Sequence, residues 1–171
     1  MKNFIALILI LFTCVGCSKT SSLQAQEMSR QGRFLLILPG ENPVYLDKSS
    51  IRINPNNANE LVYYTITNIN SSDPDTKGTS MKNLMSLNCA KKISVLNVDE
   101  RLEIYTQFFA KGEKLLDIPE KAMRTEMKDE ISPLSLMSAT VCQDTGKTFG
   151  NNPNALNEMH EKLAKQKNKI K

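Results

Sequence analysis

The chain has 171 residues with a formal net charge of +4, and 40% of them are hydrophobic. This length is enough for one hydrophobic core and short for two domains. A charge so close to balance argues against a nucleic-acid-binding face, which needs many clustered cations. His160 is the only histidine, so a zinc site is poorly supplied with ligands.

The N-terminus has the layout of a secretory signal. Lys2 supplies one positive charge before an unbroken apolar run over residues 4–12, and small residues follow up to Gly16. The run is about half of the roughly 20 residues that cross a bilayer, so a transmembrane anchor is the weaker interpretation. We therefore predict that residues 1–16 are a signal peptide.

Val15-Gly16-Cys17 resembles the end of a bacterial lipobox and predicts cleavage before Cys17 with acylation of its thiol. An ordinary signal peptide that is cleaved elsewhere is the alternative. Two or three acyl chains would tether the protein to the membrane, and Ser18 as the second mature residue resembles a signal for the outer membrane. Residues 17–31 are rich in Ser, Thr, Gln and charge, which is typical of a flexible linker.

Short β runs separated by turn residues fill the chain from about residue 33 to 109. Residues 34–38 form an apolar run closed by Pro39-Gly40, and residues 61–70 give the clearest strand. Residues 71–78 have the composition of a loop, and residues 81–89 alternate as a strand. Residues 93–98 and 102–108 read as two further strands, with Asp99-Glu100 as a predicted hairpin tip.

The character of the sequence changes at Lys111. Residues 111–130 are charged and mixed, and we assign no element to them. Ser132-Pro133 is a strong start signal for a helix that runs to about Gly146. Together the elements predict an α+β fold, in which an antiparallel meander of about six strands carries a C-terminal helix packed on the sheet.

Two cysteines remain once Cys14 leaves with the signal and Cys17 is acylated. In an exported protein, Cys89 and Cys142 favour a disulfide, with buried free thiols or a metal site as the alternatives. Such a bond would tie the end of the predicted helix to a strand.

The last segment, residues 150–171, is basic and has a helical apolar stripe of Leu156, Met159 and Leu163. It could contact anionic phospholipid or glycan. A solvated, fraying terminus is the other interpretation.

No catalytic constellation is found. Gly146-Lys147-Thr148 lacks the earlier glycine of a phosphate-binding loop, and the acidic loop from Asp73 lacks the ligands of a calcium site. Nucleophilic catalysis usually needs a base beside the nucleophile, and the single histidine lies in the basic tail. We predict no enzyme, no cofactor and no metal.

Several local motifs resemble the surface-adhesin protein E family of Gram-negative lipoproteins over about residues 32–149. Their order and approximate spacing are also similar. The motifs are residues 33–38, Tyr45-Leu46-Asp47-Lys48-Ser49-Ser50-Ile51, Leu87-Asn88-Cys89-Ala90, Gln107-Phe108-Phe109-Ala110-Lys111-Gly112, and Cys142 followed by Gly146-Lys147-Thr148-Phe149.

The resemblance implies an antiparallel sheet with a helix joined to it by the Cys89–Cys142 disulfide, without a cofactor. It implies display on the outer surface, occasional dimers, and binding of host matrix or plasma proteins such as vitronectin, laminin or plasminogen. The resemblance implies a basic patch in the loop before Cys89. At that place this chain has only Lys77 and Lys82, beside Asp73 and Asp75. We predict a contact surface there; a periplasm-facing accessory lipoprotein without a host ligand is the alternative.

Overall fold

The computed structural model describes residues 32–128 and 131–168, with side chains as far as Lys165. One antiparallel sheet and two helices after it confirm the predicted α+β fold. The strands are β1 (Phe34–Leu38), β2 (Val44–Asn54), β3 (Asn57–Asn68), β4 (Ser80–Asn88), β5 (Ile93–Leu96), β6 (Arg101–Gln107), β7 (Lys111–Pro119) and β8 (Met123–Glu126), and the helices are α1 (Pro133–Asp144) and α2 (Ala155–Asn168).

The eight strands occupy six rows of a meander. β5 pairs with the C-terminal half of β4 and β6 pairs with its N-terminal half, so β6 continues β5 along the same edge. β8 and β7 flank them in the same way as one outer row. The prediction of a hairpin tip at Asp99-Glu100 was wrong. These residues belong to a turn with positive φ at Asn97 and Glu100, which interrupts one row and does not reverse it.

The outer row explains why residues 111–130 could not be assigned from sequence. β7 bonds to β6 alone, and nearly all of its side chains are exposed. A strand with solvent around both of its faces has no need to alternate apolar and polar residues, so the period-two signal is missing.

The main core lies between α1 and one face of the sheet. Ser132 caps α1 with a reciprocal capping box to Ser135, and Pro133 occupies the first turn, as predicted. The helix then buries its apolar side against the centre of the sheet. The buried side chains at this interface include Leu46, Leu61, Tyr63, Met85, Leu87, Met137 and Val141.

Cys89 and Cys142 form a disulfide with a Cα–Cα distance of 5.9 Å, as expected. Cys89 directly follows β4, and Cys142 lies in the last turn of α1. The bond spans 53 residues, and the chain-entropy model gives about 4 kcal/mol for a loop of this length. It fixes the C-terminal end of α1 to one end of the sheet.

α2 begins against the same core. In the turn before it, Asn152 Oδ1 accepts a hydrogen bond from the Asn154 N–H at 2.8 Å. Ala155 is buried, and Leu156 and Met159 pack on the main cluster. The basic segment after residue 150 is therefore docked at its N-terminal half, while most later described side chains are exposed.

A second, smaller cluster lies on the opposite face of the sheet. Phe109 packs against Phe34 and Tyr45, with ring centroids 4.7 and 4.9 Å away, and Ile66 completes the cluster. Phe109 has a left-handed backbone (φ 61°) in the short turn between β6 and β7. Its N–H donates to Asn68 Oδ1 at 2.9 Å, which secures this unusual conformation.

Candidate functional site

The loop between β3 and β4 carries the predicted contact surface. Its backbone is held by local bonds, because the N–H groups of Thr76 and Lys77 both donate to the Asp73 carbonyl and Asp73 Oδ1 accepts from the Asp75 N–H. Residues 72–77 are exposed. The loop is thus a compact projection at one end of the sheet.

Lys82 does not belong to this exposed loop. It lies on β4 opposite Glu103 of β6, and its Nζ donates to Glu103 Oε2 at 2.9 Å. The ammonium also stands 4.0 Å from the ring centroid of Tyr64, a cation–π distance, while Tyr105 donates its hydroxyl to the same carboxylate oxygen. The side chain is only 20% exposed, so Lys82 is largely committed to contacts within the protein.

The pKa values of this pair follow from their contacts. Burial alone would lower the pKa of Lys82, but its hydrogen bond to Glu103 and the neighbouring tyrosine rings raise the pKa above its ordinary value. Burial likewise opposes ionisation of Glu103, yet hydrogen bonds from Lys82 and Tyr105 hold its pKa below the ordinary range. Both groups therefore remain charged and paired at neutral pH.

The Lys82–Glu103 pair is part of a wider charge network on the face of the sheet that α1 does not cover. Lys114 bridges Glu103 at 3.3 Å and Asp117 at 3.1 Å, and Arg101 lies 3.6 Å from Asp117. Cations and carboxylates alternate in this network, so it presents little net charge to a partner.

The sequence-predicted site residues thus lie in different environments. Lys77 is exposed on the loop, whereas Lys82 is paired with Glu103 on the sheet. Because Glu103 balances the charge of Lys82, the loop has the single cation Lys77 beside Asp73 and Asp75. Cys17, the predicted lipidation site, lies outside the described residues.

The described residues offer no grouping of three or more His, Cys, Asp or Glu side chains that could hold a metal ion. In the same part of the chain, neither helix is long and apolar enough to cross a membrane.

Two of the family-like motifs have structural roles. Asp47, within the Tyr45 to Ile51 motif, is 8% exposed and receives two hydrogen bonds from Arg33 and one from the Ser49 hydroxyl. Burial would raise the pKa of Asp47, but these bonds outweigh it and keep the pKa low. The motif around Phe109 forms the turn that anchors the second cluster, and Gly112 there has a φ of 72°.

Comparisons with known proteins agree with this architecture. A sequence model described as surface-adhesin protein E matches residues 35–143. No curated protein sequence matches the chain.

Solved structures of Haemophilus influenzae protein E share the fold. One has a TM-score of 0.55 at 19% identity, covering 69% of this chain and 89% of that one. A second, from a non-typeable strain, has a TM-score of 0.50 at 15% identity and covers 75% and 88%. The family match extends from β1 through the whole sheet to the disulfide at the end of α1, and the chain belongs to the surface-adhesin protein E family.

Proposed function

We propose that this adhesin-like surface protein is anchored by lipid at Cys17 in the outer membrane and binds host extracellular-matrix or plasma proteins. Vitronectin, laminin and plasminogen are the partners to test first. The observation that carries the proposal is the family match over residues 35–143.

The segment before the domain is compatible with display. Between Cys17 and Gly32 lie fourteen residues rich in Ser, Thr, Gln and charge. At about 3.3–3.6 Å per residue, such a segment extends at most about 50 Å. An acyl anchor at Cys17 would therefore hold the folded domain near the membrane.

The proposed contact surface is the Ser71–Lys82 loop, by which we mean the β3–β4 loop together with the first residues of β4 as far as Lys82. Loops on a rigid sheet can vary while the scaffold stays fixed, and residues 72–77 are exposed. Lys77 is its accessible cation, whereas Lys82 is ion-paired with Glu103. We therefore expect Lys77 to make the larger contribution to binding an acidic partner.

The test uses soluble protein from Ser18 onward against immobilised vitronectin, laminin and plasminogen. Lys77→Ala should weaken binding a few-fold, since an exposed ion pair is worth about 0.2–1 kcal/mol, and binding should fall with added salt. Lys121→Ala removes one exposed cation outside the loop and should leave binding unchanged. If the unmodified protein binds none of the three, the proposed ligand class is wrong.

The second candidate is a periplasm-facing accessory lipoprotein without a host ligand. One observation favours it, namely the excess of Asp73 and Asp75 over Lys77 on the exposed loop, which disfavours acidic partners. Accessibility on intact cells separates the two candidates.

A further inference from the structure

A cavity of about 530 Å³ opens at the disulfide end of the sheet. The start of β3, the β4–β5 turn, β8 and the segment after α1 meet there. β4 runs from the Ser71–Lys82 loop to this end, and its nine residues span roughly 27 Å at the usual strand rise. The cavity is therefore far from the contact surface proposed above.

The disulfide brings two of the cations of this cavity together. Lys91 follows Cys89 by two residues, in a turn where its N–H donates to Asn88 Oδ1 at 3.0 Å. Lys147 follows Cys142 by five residues, and its N–H donates to the Cys142 carbonyl at 2.8 Å. The disulfide joins the two segments, and Lys91 and Lys147 both line the cavity.

Arg124 on β8 adds a third positive charge to the lining. Within the described ranges, none of Lys91, Arg124 and Lys147 is ion-paired. The cavity lining has one carboxylate, Glu60, whose Oε2 already accepts a hydrogen bond from Asn54 at 3.2 Å. The cavity is thus net positive, in contrast to the acidic loop at the other end of β4.

The rest of the cavity lining is suited to a ligand that carries hydroxyl groups. Asn57, Asn59 and Asn88 also line the cavity, and no aromatic ring does. The Oδ1 atoms of Asn57 and Asn88 each accept a backbone N–H, so these two amides face a ligand mainly as NH₂ donors. Cys89, Ala90 and Ile93 also line the cavity, so apolar surface lies beside its polar groups. Cations beside amides fit a ligand with several anionic groups on a hydroxyl-rich backbone.

We propose that this cavity binds a segment of a sulfated polysaccharide, with Lys91, Arg124 and Lys147 contacting its sulfate or carboxylate groups. The volume is that of a small-ligand site and accommodates a few sugar units. The proposal does not depend on a protein ligand at the Ser71–Lys82 loop.

The test measures binding of a size-defined heparin hexasaccharide to the soluble protein by calorimetry at physiological salt. Lys91→Gln/Lys147→Gln is compared with Lys111→Gln/Lys121→Gln, which removes the same charge from exposed positions outside the cavity. Thermal melts and free-thiol titration check that each variant is folded with its disulfide intact. If the first double variant fails these checks, the exposed single change Lys91→Gln replaces it.

We expect the cavity variant to lose about five- to thirtyfold in affinity, since each of the two ionic contacts that it removes is worth up to about 1 kcal/mol at an exposed or partly exposed site. The control should lose less than about threefold, and the desulfated hexasaccharide should not bind. Equal losses in both variants, or no binding by the unmodified protein, would overturn the proposal. Equal affinity for a poly-glutamate peptide of the same charge would also overturn it, because the site would then recognise charge without the sugar.

Discussion

At the scale of single residues, Lys82 shows how a strand partner changes the role of a side chain. In the sequence it is one of two cations near an acidic loop. In the structure it pairs across strands with Glu103, 21 residues later, and covers the ring of Tyr64. The expected hairpin at Asp99-Glu100 would have paired β5 with β6, so the register that joins Lys82 to Glu103 could not be predicted.

This pair gives a prediction about stability and pH. Lys82→Ala should lower the free energy of unfolding by about 1 kcal/mol at pH 7, because Glu103 loses its hydrogen-bonded cation in a half-buried site. The pKa of Glu103 is lowered by folding, so its contribution is present above the ordinary Glu value of about 4.3 and disappears as pH falls through the lower folded value.

The pKa of Lys82 is raised by folding, so its contribution is present below the ordinary Lys value of about 10.4 and is lost as pH rises through the folded value. Urea unfolding of the unmodified protein and of Lys82→Ala from pH 3 to 8 measures how the difference in stability changes as Glu103 is protonated. A difference that stays constant across this range would mean that Glu103 is not the partner that matters.

The cations of the proposed glycan site were also missed by sequence reasoning, although one signal was present. Lys91 and Lys147 each follow a cysteine of the predicted disulfide closely, so the pairing alone places them near each other. Arg124 lies in the stretch that no pattern assigned. Its position became known only with the pairing of β8 and β5.

At the scale of elements, the turn that interrupts the β5–β6 row is held in a conformation that costs energy. Glu100 has a φ of 55°, and its N–H donates to the Asn97 carbonyl at 2.8 Å. The left-handed region costs a residue with a Cβ about 1–2 kcal/mol, and glycine does not have this cost. Glu100 is exposed, so little packing opposes a change there.

Glu100→Gly should therefore stabilise the protein by roughly 0.5 kcal/mol, after the extra freedom of glycine in the unfolded chain is subtracted. Glu100→Ala keeps the Cβ and removes the same charge, so it should give no such gain. Thermal melts of the three proteins decide the matter. A gain of equal size for alanine would assign the effect to charge and not to the backbone.

The sequence predicted well those elements that carry a strong local signal. The Ser132-Pro133 start of α1 combines a cap with a fixed φ, and β3 is rich in β-branched and aromatic residues whose side chains are buried on both faces of the sheet. β7 and β8 were missed because an outer row has few neighbours to impose a pattern. Burial determines where apolar residues occur along an element. Buried elements could therefore be predicted from the sequence, and the exposed outer row could not.

At the scale of the whole molecule, the two ends of the sheet differ in charge and construction. One end carries the exposed acidic loop with Lys77, and the other carries the disulfide and the cationic cavity. A protein with two such ends could hold two kinds of partner at once if the domain is displayed at a surface. Display is therefore the condition on which the proposed function depends.

The most direct test of that condition is protease treatment of intact cells, followed by mass spectrometry of the released peptides. If the protein is a displayed adhesin-like module, peptides from exposed segments such as residues 71–78 should be released while a periplasmic marker stays intact. If the domain remains full-length while a known surface protein on the same cells is cleaved, display is contradicted and the periplasm-facing alternative replaces it.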